Sequence, residues 1–275
     1  MSGQMTSQPI RLFHVSDLHF GHEDRVAIEW FAREVEECKP DHIICTGDLT
    51  MRGNGDEFAA AKQWLTSLAA PVSLEIGNHD VPYYWYLAAR IMHPYRRFRR
   101  LDREIGVRPD LPGLGLTGLR TVAAFQLRLN LSKGHVAKAD LDTALASVAS
   151  QADKPLRIVA CHHPLVDGHT QSKGSTRNGR AALTALAAAG ADIVLSGHVH
   201  DPFDMALELG GKPVRLIGAG TLSQRLRGCP PSYNQLMIDG TTVTVKERRF
   251  GADPQPIPAE VLPPETVPPQ TLLAG

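Results

Sequence analysis

Asp17-Leu18-His19, Gly47-Asp48, Gly77-Asn78-His79-Asp80 and Gly197-His198-Val199-His200 each place oxygen- or imidazole-bearing side chains just after an apolar run, and Cys161-His162-His163-Pro164 follows another. Side chains two apart on an extended strand end point the same way, so Asp17 with His19, and His198 with His200, each offer a pair of groups to one ion. Gly47 lets the backbone turn closely beside the carboxylate that follows it. Imidazole, carboxylate and amide oxygen in one set suit Mn, Fe, Zn or Co, whereas Ca and Mg prefer all-oxygen shells. Asp17, His19, Asp48, Asn78, His162, His198 and His200 are too many for one ion, so two divalent or trivalent ions sharing one carboxylate are expected. Two ions ~4 Å apart can hold a hydroxide between them and clamp substrate oxygens during in-line displacement. Only Asp17 and Asp48 are anionic in this set, so the site stays positive and favours a phosphoryl group.

Elements that could carry these residues alternate along the chain. Strands are expected at Ile10–Ser16, Asp41–Thr46 and Val72–Ile76, with helices at Arg25–Cys38 and Asp56–Leu68 between them. Further on come strands near Gly113–Gly118 and Thr121–Leu127, helix Ala139–Ala149, strand Leu156–Cys161, helix Gly179–Ala189 and strand Asp192–Ser196. Such alternation predicts an α/β fold with its site at the C-terminal strand ends. After His200, the runs Phe203–Leu209, Val214–Gly218, Tyr233–Ile238 and Thr242–Arg249 read as a second, mainly antiparallel sheet packed against the first.

Two segments stand outside the alternation. Val81–Asp110 mixes Tyr83, Tyr84, Trp85, Tyr86, Tyr95 and Phe98 with seven arginines: Arg90, Arg96, Arg97, Arg99, Arg100, Arg103 and Arg108. It reads either as a lid over the metals, offering aromatic faces and guanidinium groups to a substrate, or as an amphipathic helix pair with solvated arginines. Residues 251–275 hold seven prolines and form a tail that is either disordered or wrapped on the domain or a partner.

Lysine plus arginine and aspartate plus glutamate both number 29, so bulk charge gives no reason to expect nucleic acid or a membrane surface as partner. No apolar stretch approaches the ~20 residues that cross a bilayer, and MSGQMTSQPI lacks the pattern of a signal peptide, so a cytoplasmic location is the expectation. Cys38, Cys45, Cys161 and Cys229 lack C-x-x-C spacing and read as reduced, mostly core residues. The chain length fits one domain, and a homodimer is compatible with it.

DLH, GDLT, GNHD, HHPL and GHVH, in this order and spacing over residues 10 to 250, resemble the calcineurin-like metallophosphoesterase superfamily. The resemblance implies a four-layer α/β/β/α sandwich with a dinuclear centre at the strand ends. It assigns Asp17, His19 and His200 to one metal, Asn78, His162 and His198 to the other, and Asp48 to the bridge. It further implies that His79 contacts phosphate and helps protonate the leaving group, and that Asp80 orients His79 or buttresses its loop. The HHPL and GHVH elements and the Arg177–Ala189 stretch look nearest to the bacterial cyclic-nucleotide phosphodiesterase branch, although Leu165 stands where many members of that branch have a second proline.

Asn78, His163, Arg177 and Asn178 are candidates for touching the substrate, the last two from a polar loop that also holds His169, Lys173, Ser175 and Thr176. His22 reads as either a pocket-rim or a surface histidine, and Lys133 and His135, in another polar loop, as either solvated or facing the site. The expected activity is hydrolysis of a small phosphodiester, such as a cyclic nucleotide or a glycerophosphodiester, by a hydroxide bridging two metals. A pyrophosphatase acting on a nucleotide or lipid-precursor diphosphate, a phosphomonoesterase, and a non-catalytic metal-bound scaffold are the alternatives. A nuclease fits the neutral charge less well.

Overall fold

The computed structural model describes residues 8–83, 86–123, 132–168, 170, 176–256 and 260–261. Tyr84, Trp85, residues 124–127 of one expected strand, His169, Lys173, Ser175 and the tail from 262 lie outside the described residues.

The first strands are β1 (Ile10–Val15), β2 (His42–Cys45) and β3 (Val72–Leu74), joined by helices α1 (Arg25–Cys38) and α2 (Gly55–Ser67). Asp24 caps α1 by accepting from the backbone of Val26 and Ala27, and Asn54 caps α2 by accepting from Glu57. Two helices follow, α3 (Leu87–Met92) and α4 (Arg96–Ile105). The second half of the chain contains β4 (Leu114–Leu119), α5 (Lys138–Ser150), β5 (Leu156–Cys161), α6 (Gly179–Ala189) and β6 (Ile193–Ser196). It ends with β7 (Phe203–Leu209), β8 (Lys212–Gly218), β9 (Ser232–Asp239), β10 (Thr242–Arg249), β11 (Gln255–Pro256) and β12 (Glu260–Val261).

Two six-stranded mixed sheets result, in the orders β11-β10-β9-β1-β2-β3 and β12-β7-β8-β6-β5-β4. The period of two along each strand sorts side chains between two packing layers. In β1, Phe13 and Val15 join α1 and α2 residues such as Phe31 and Phe58, whereas Leu12 joins a cluster that contains strand residues from both sheets. In β5, Val159 and Cys161 meet Ala144 of α5 and Leu183 of α6, while Ile158 and Ala160 face the other sheet. Sheet thus packs on sheet, with helices on both outer faces: an α/β/β/α sandwich.

The late strands do not form a sheet of their own, contrary to the sequence expectation. β7 and β8 extend the second sheet, β8 running parallel to β6, while β9 and β10 return to the first sheet beside β1. Strand patterning specifies which face is buried and not which edge is joined. Beyond residue 250 the chain returns to both sheets, β11 pairing with β10 and β12 with β7.

α4 packs Phe98 and Leu101 inward while Arg96, Arg97, Arg99, Arg100 and Arg103 face outward, and it lies against α2 with a Lys62–Glu104 ion pair between them. At its far end Gly106 pairs with Val72, at the start of β3. Tyr86, Leu87, Ile91 and Met92, around the short α3, are exposed. No described helix is long and apolar enough to cross a membrane, and all four cysteines are free thiols.

Candidate metal centre

The parallel strands β1, β2, β3, β5 and β6 each release their chain into a loop at the same end of the sandwich, and these loops carry Asp17 and His19, Asp48, Asn78 to Asp80, His162, and His198 with His200. Asp17, His19, Asp48, His198 and His200 have left-handed backbones, with φ of 56°, 48°, 52°, 70° and 58°. Residues other than glycine enter this region at a cost of order 1–3 kcal/mol each, and such outliers concentrate at functional sites. Left-handed turns, and not the extended strand ends expected from sequence, therefore bring Asp17 to His19 and His198 to His200. The reason is steric: the loops cross closely enough that a Cβ on Gly77 would lie 2.0 Å from the Asp48 backbone nitrogen, and one on Gly197 1.8 Å from Ser16 Oγ.

Asp17, His19 and His200 converge. His200 Nε2 lies 3.0 Å from Asp17 Oδ1, and His19 Nε2 lies 3.6 Å from that oxygen and 3.3 Å from His200 Nε2. The second group has His162 Nε2 3.1 Å from Asn78 Oδ1 and 3.4 Å from Asp48 Oδ2. Asp48 Oδ2 is also 3.8 Å from His19 Nε2, so this one carboxylate faces both groups. The His198 ring stands 5.2 Å from that of His162, and its backbone nitrogen donates to Asp17 Oδ2.

Hydrogen bonds set the ring tautomers. His200 Nδ1 donates to the Arg225 carbonyl at 2.6 Å and His162 Nδ1 to the Thr46 carbonyl at 2.8 Å. Each Nε2 is thereby turned into the cluster, as in a metal-ligating histidine. Asp17 Oδ1 and His19 Nδ1 are buried without a hydrogen-bond donor or acceptor of their own. Lone pairs converging from carboxylate, amide and imidazole repel one another unless cations lie between them, so the donor set fits two ions. Two clusters of histidine and aspartate suited to a dinuclear centre are present.

The charges agree. Burial would raise the Asp48 carboxyl, but the neighbouring charges of His162, His79 and His19 outweigh it and hold the group below the usual carboxylate range; Asp17 is lowered in the same way, chiefly against His200. Burial opposes a proton on His162, yet Asp48 pulls that imidazole up to about 9, while burial and the His162 charge push His198 down to about 3. The buried carboxylates attract positive charge into the cluster.

His79 donates its backbone N–H to Asp48 Oδ1 at 2.7 Å, and its ring stands edge-on to His19. Asp80 holds the loop: one oxygen accepts from Gly77 N, the other from Thr50 N and Thr50 Oγ1. His163 packs against the cluster, its ring 4.4 Å from that of His198 and 4.7 Å from that of His162, with Nδ1 hydrogen-bonded to Thr121 Oγ1 at 2.9 Å and Nε2 to the Ser132 carbonyl at 2.9 Å. Arg177 is exposed and pairs through its backbone with residues 134–136, and Asn178 caps the same segment by donating to the Val136 carbonyl. Among the described contacts, neither reaches the ligand cluster. His22 is exposed in the turn after His19, and His135 pairs with Arg177.

Arg225 was not singled out by sequence. Its Nη1 lies 2.9 Å from His79 Nε2 and 3.5 Å from His19 Nε2. It follows β8, which the sequence assigned to a separate, mainly antiparallel sheet; with β8 running parallel to β6 instead, its exit loop joins the others at the site.

The profile described as calcineurin-like phosphoesterase matches residues 10–202. The UDP-2,3-diacylglucosamine pyrophosphatase LpxG of Chlamydia trachomatis serovar D is 32% identical over 78 residues, 27% of this chain and 24% of that protein. The glycerophosphodiester phosphodiesterase GpdQ of Enterobacter lignolyticus is 26% identical over 169 residues, 60% of this chain and 55% of that protein. The chain thus spans from about a quarter to about half the length of these curated relatives. Among solved structures, a dimetal phosphatase of Danio rerio is similar at a TM-score of 0.65 and 10% identity, covering 91% of this chain and 99% of that one. GAP50, the anchor in the inner membrane complex of Plasmodium, is similar at a TM-score of 0.58 and 13% identity, covering 91% and 89%. A phosphatase and an anchor share the fold, so the ligand set carries the functional argument and the sandwich does not. With that ligand set assembled at the strand ends, and the profile matched from residue 10 to residue 202, this chain belongs to the calcineurin-like phosphoesterase family.

Proposed function

We propose that the protein is a metal-dependent phosphodiesterase acting on a small diester, with cyclic nucleotides and glycerophosphodiesters as candidate classes. The observation that carries this reading is Asp48 Oδ2, within 3.8 Å of His19 Nε2 and 3.4 Å of His162 Nε2, so that one carboxylate faces both ligand groups and would be shared by two ions bound there. Asp17, His19 and His200 hold one ion; Asn78, His162 and His198 hold the other. Mn, Fe, Zn or Co suit this mixed set. Bound there, the pair of ions supplies hydroxide near neutral pH and neutralises phosphoryl oxygens. His79 stands beside the reacting group and attends the departing oxygen, while Asp80 keeps its loop in place. The neutral chain favours a small substrate over nucleic acid.

A pyrophosphatase is the second reading, supported by the likeness to a UDP-diacylglucosamine pyrophosphatase over 78 residues. Mn-loaded protein, with metal content measured in the same preparation, is to be assayed against diesters, monoesters and diphosphates. An aryl phosphodiester is expected to be hydrolysed, and Asp48→Asn to slow the reaction at least ~100-fold with loss of bound metal, more than the loss of an outer partner causes. An Asp48→Asn enzyme at full rate removes the shared-carboxylate assignment. A fully metallated protein inactive on all three classes leaves the scaffold role.

A further inference from the structure

We propose that Arg225 grips a nonbridging oxygen of the substrate phosphoryl group, and that His79 Nε2 is only its resting partner. The inference rests on the reading of the site as a phosphoester hydrolase and adds a substrate contact to it.

His79 Nδ1 faces the Met51 carbonyl at 2.7 Å, so that nitrogen carries the proton. Arginine has no acceptor, so at 2.9 Å its N–H donates and His79 Nε2 accepts. In this arrangement His79 Nε2 is occupied by the guanidinium. Arg225 is half-buried, and no carboxylate lies within ion-pair distance of it among the described residues. The carboxylates of the site, Asp17 and Asp48, are committed to the imidazole cluster. A guanidinium held without a counter-ion beside two cation positions calls for an oxyanion, and its planar fork matches two phosphoryl oxygens.

The loop that presents it is anchored in detail. Thr221 Oγ1 donates to the Asp17 carbonyl at 2.6 Å, Ser223 Oγ accepts from Arg225 N, and Gln224 bonds His22 and Glu23. Arg225's own carbonyl accepts from His200 Nδ1. Main chain and side chain of one residue therefore touch both a metal-ligand imidazole and His79. When phosphate takes the guanidinium, His79 Nε2 is released from it.

The test uses Mn-loaded full-length protein, Arg225→Met and Arg225→Lys, inorganic phosphate as the calorimetric probe, and an aryl phosphodiester for kinetics. Because the Arg225 carbonyl is retained in both variants, metal content is expected to match the unmodified protein. Losing a charge-assisted bond predicts a phosphate Kd about 10- to 100-fold weaker in Arg225→Met, with KM raised by a similar factor and kcat changed less. Arg225→Lys is expected to restore part of the affinity, and added guanidinium to rescue the Met variant. Phosphate affinity per metal-loaded site within twofold of the unmodified protein in Arg225→Met overturns the assignment, as does failure of the unmodified loaded protein to bind phosphate at all. If it binds phosphate but hydrolyses no diester, the phosphodiesterase reading falls while the phosphate arm still decides the role of Arg225.

Discussion

Asp80 divides its two oxygens between Gly77 N on one side and Thr50 N and Oγ1 on the other, and thereby ties the loop after β3 to the loop after β2. An amide offers one acceptor where the carboxylate offers two. Asp80→Asn is therefore expected to leave a buried N–H unpaired at a cost of about 1–3 kcal/mol, read as a lower urea midpoint, and to lower activity by displacing His79. Glu75 carries a different penalty. Burial, only partly countered by Arg108, lifts its carboxyl from 4.5 to about 7. Unfolded, the group ionises near 4.5; folded, it keeps its proton to about 7, so its contribution to stability is complete below 4.5 and is lost as pH rises through 7. The unmodified protein should lose about 2–3 kcal/mol relative to Glu75→Gln between pH 4.5 and 7 in urea unfolding. A pH-independent difference would show that Glu75 does not titrate across this range.

At the scale of elements, the close crossing of loops sets what glycine can be replaced. Gly77 has an ordinary φ of −98°, so its requirement is purely spatial: the added Cβ would meet Asp48 N at 2.0 Å and Asp48 Oδ1 at 2.1 Å. Gly77→Ala should cost at least about 2 kcal/mol and reduce bound metal, checked by calorimetry together with metal analysis. Most elements were legible from periodicity: the expected helix Arg25–Cys38 and strand Leu156–Cys161 appear with those bounds. The segment Val81–Asp110 was legible only as two alternatives. A run such as Arg96-Arg97-Phe98-Arg99-Arg100-Leu101 shows amphipathicity, but the surface its apolar face meets, here α2, is set by the fold. Left-handed backbones at Asp17 and His198 were not legible, since neither residue is a glycine; only the crossing of distant loops demands them.

For the molecule as a whole, seven candidate ligand side chains from five loops converge between two sheets, so metal binding is expected to be linked to folding. Lone pairs that repel without cations, at Asp17, His19 and His200, make chelation destabilising. Removing metal should lower Tm, and re-adding ion at ~100 times its Kd should restore about 2.7 kcal/mol, followed by scanning calorimetry. An unchanged Tm after verified metal removal would mean that the centre binds ions without stabilising the fold.

The sequence by itself determined the family and the candidate donor set: side-chain types, their order, the glycines beside them and the α/β alternation are local properties, written in side-chain identity and in periods of 2 and 3.6 residues. Tertiary structure alone decided which late strands join which sheet, and hence that β8 exits at the site and delivers Arg225 to His79, 146 residues away in the chain. A lone arginine in a polar loop has no sequence signal of function. Its meaning arises from proximity, and proximity across the chain is settled by how the two sheets pack.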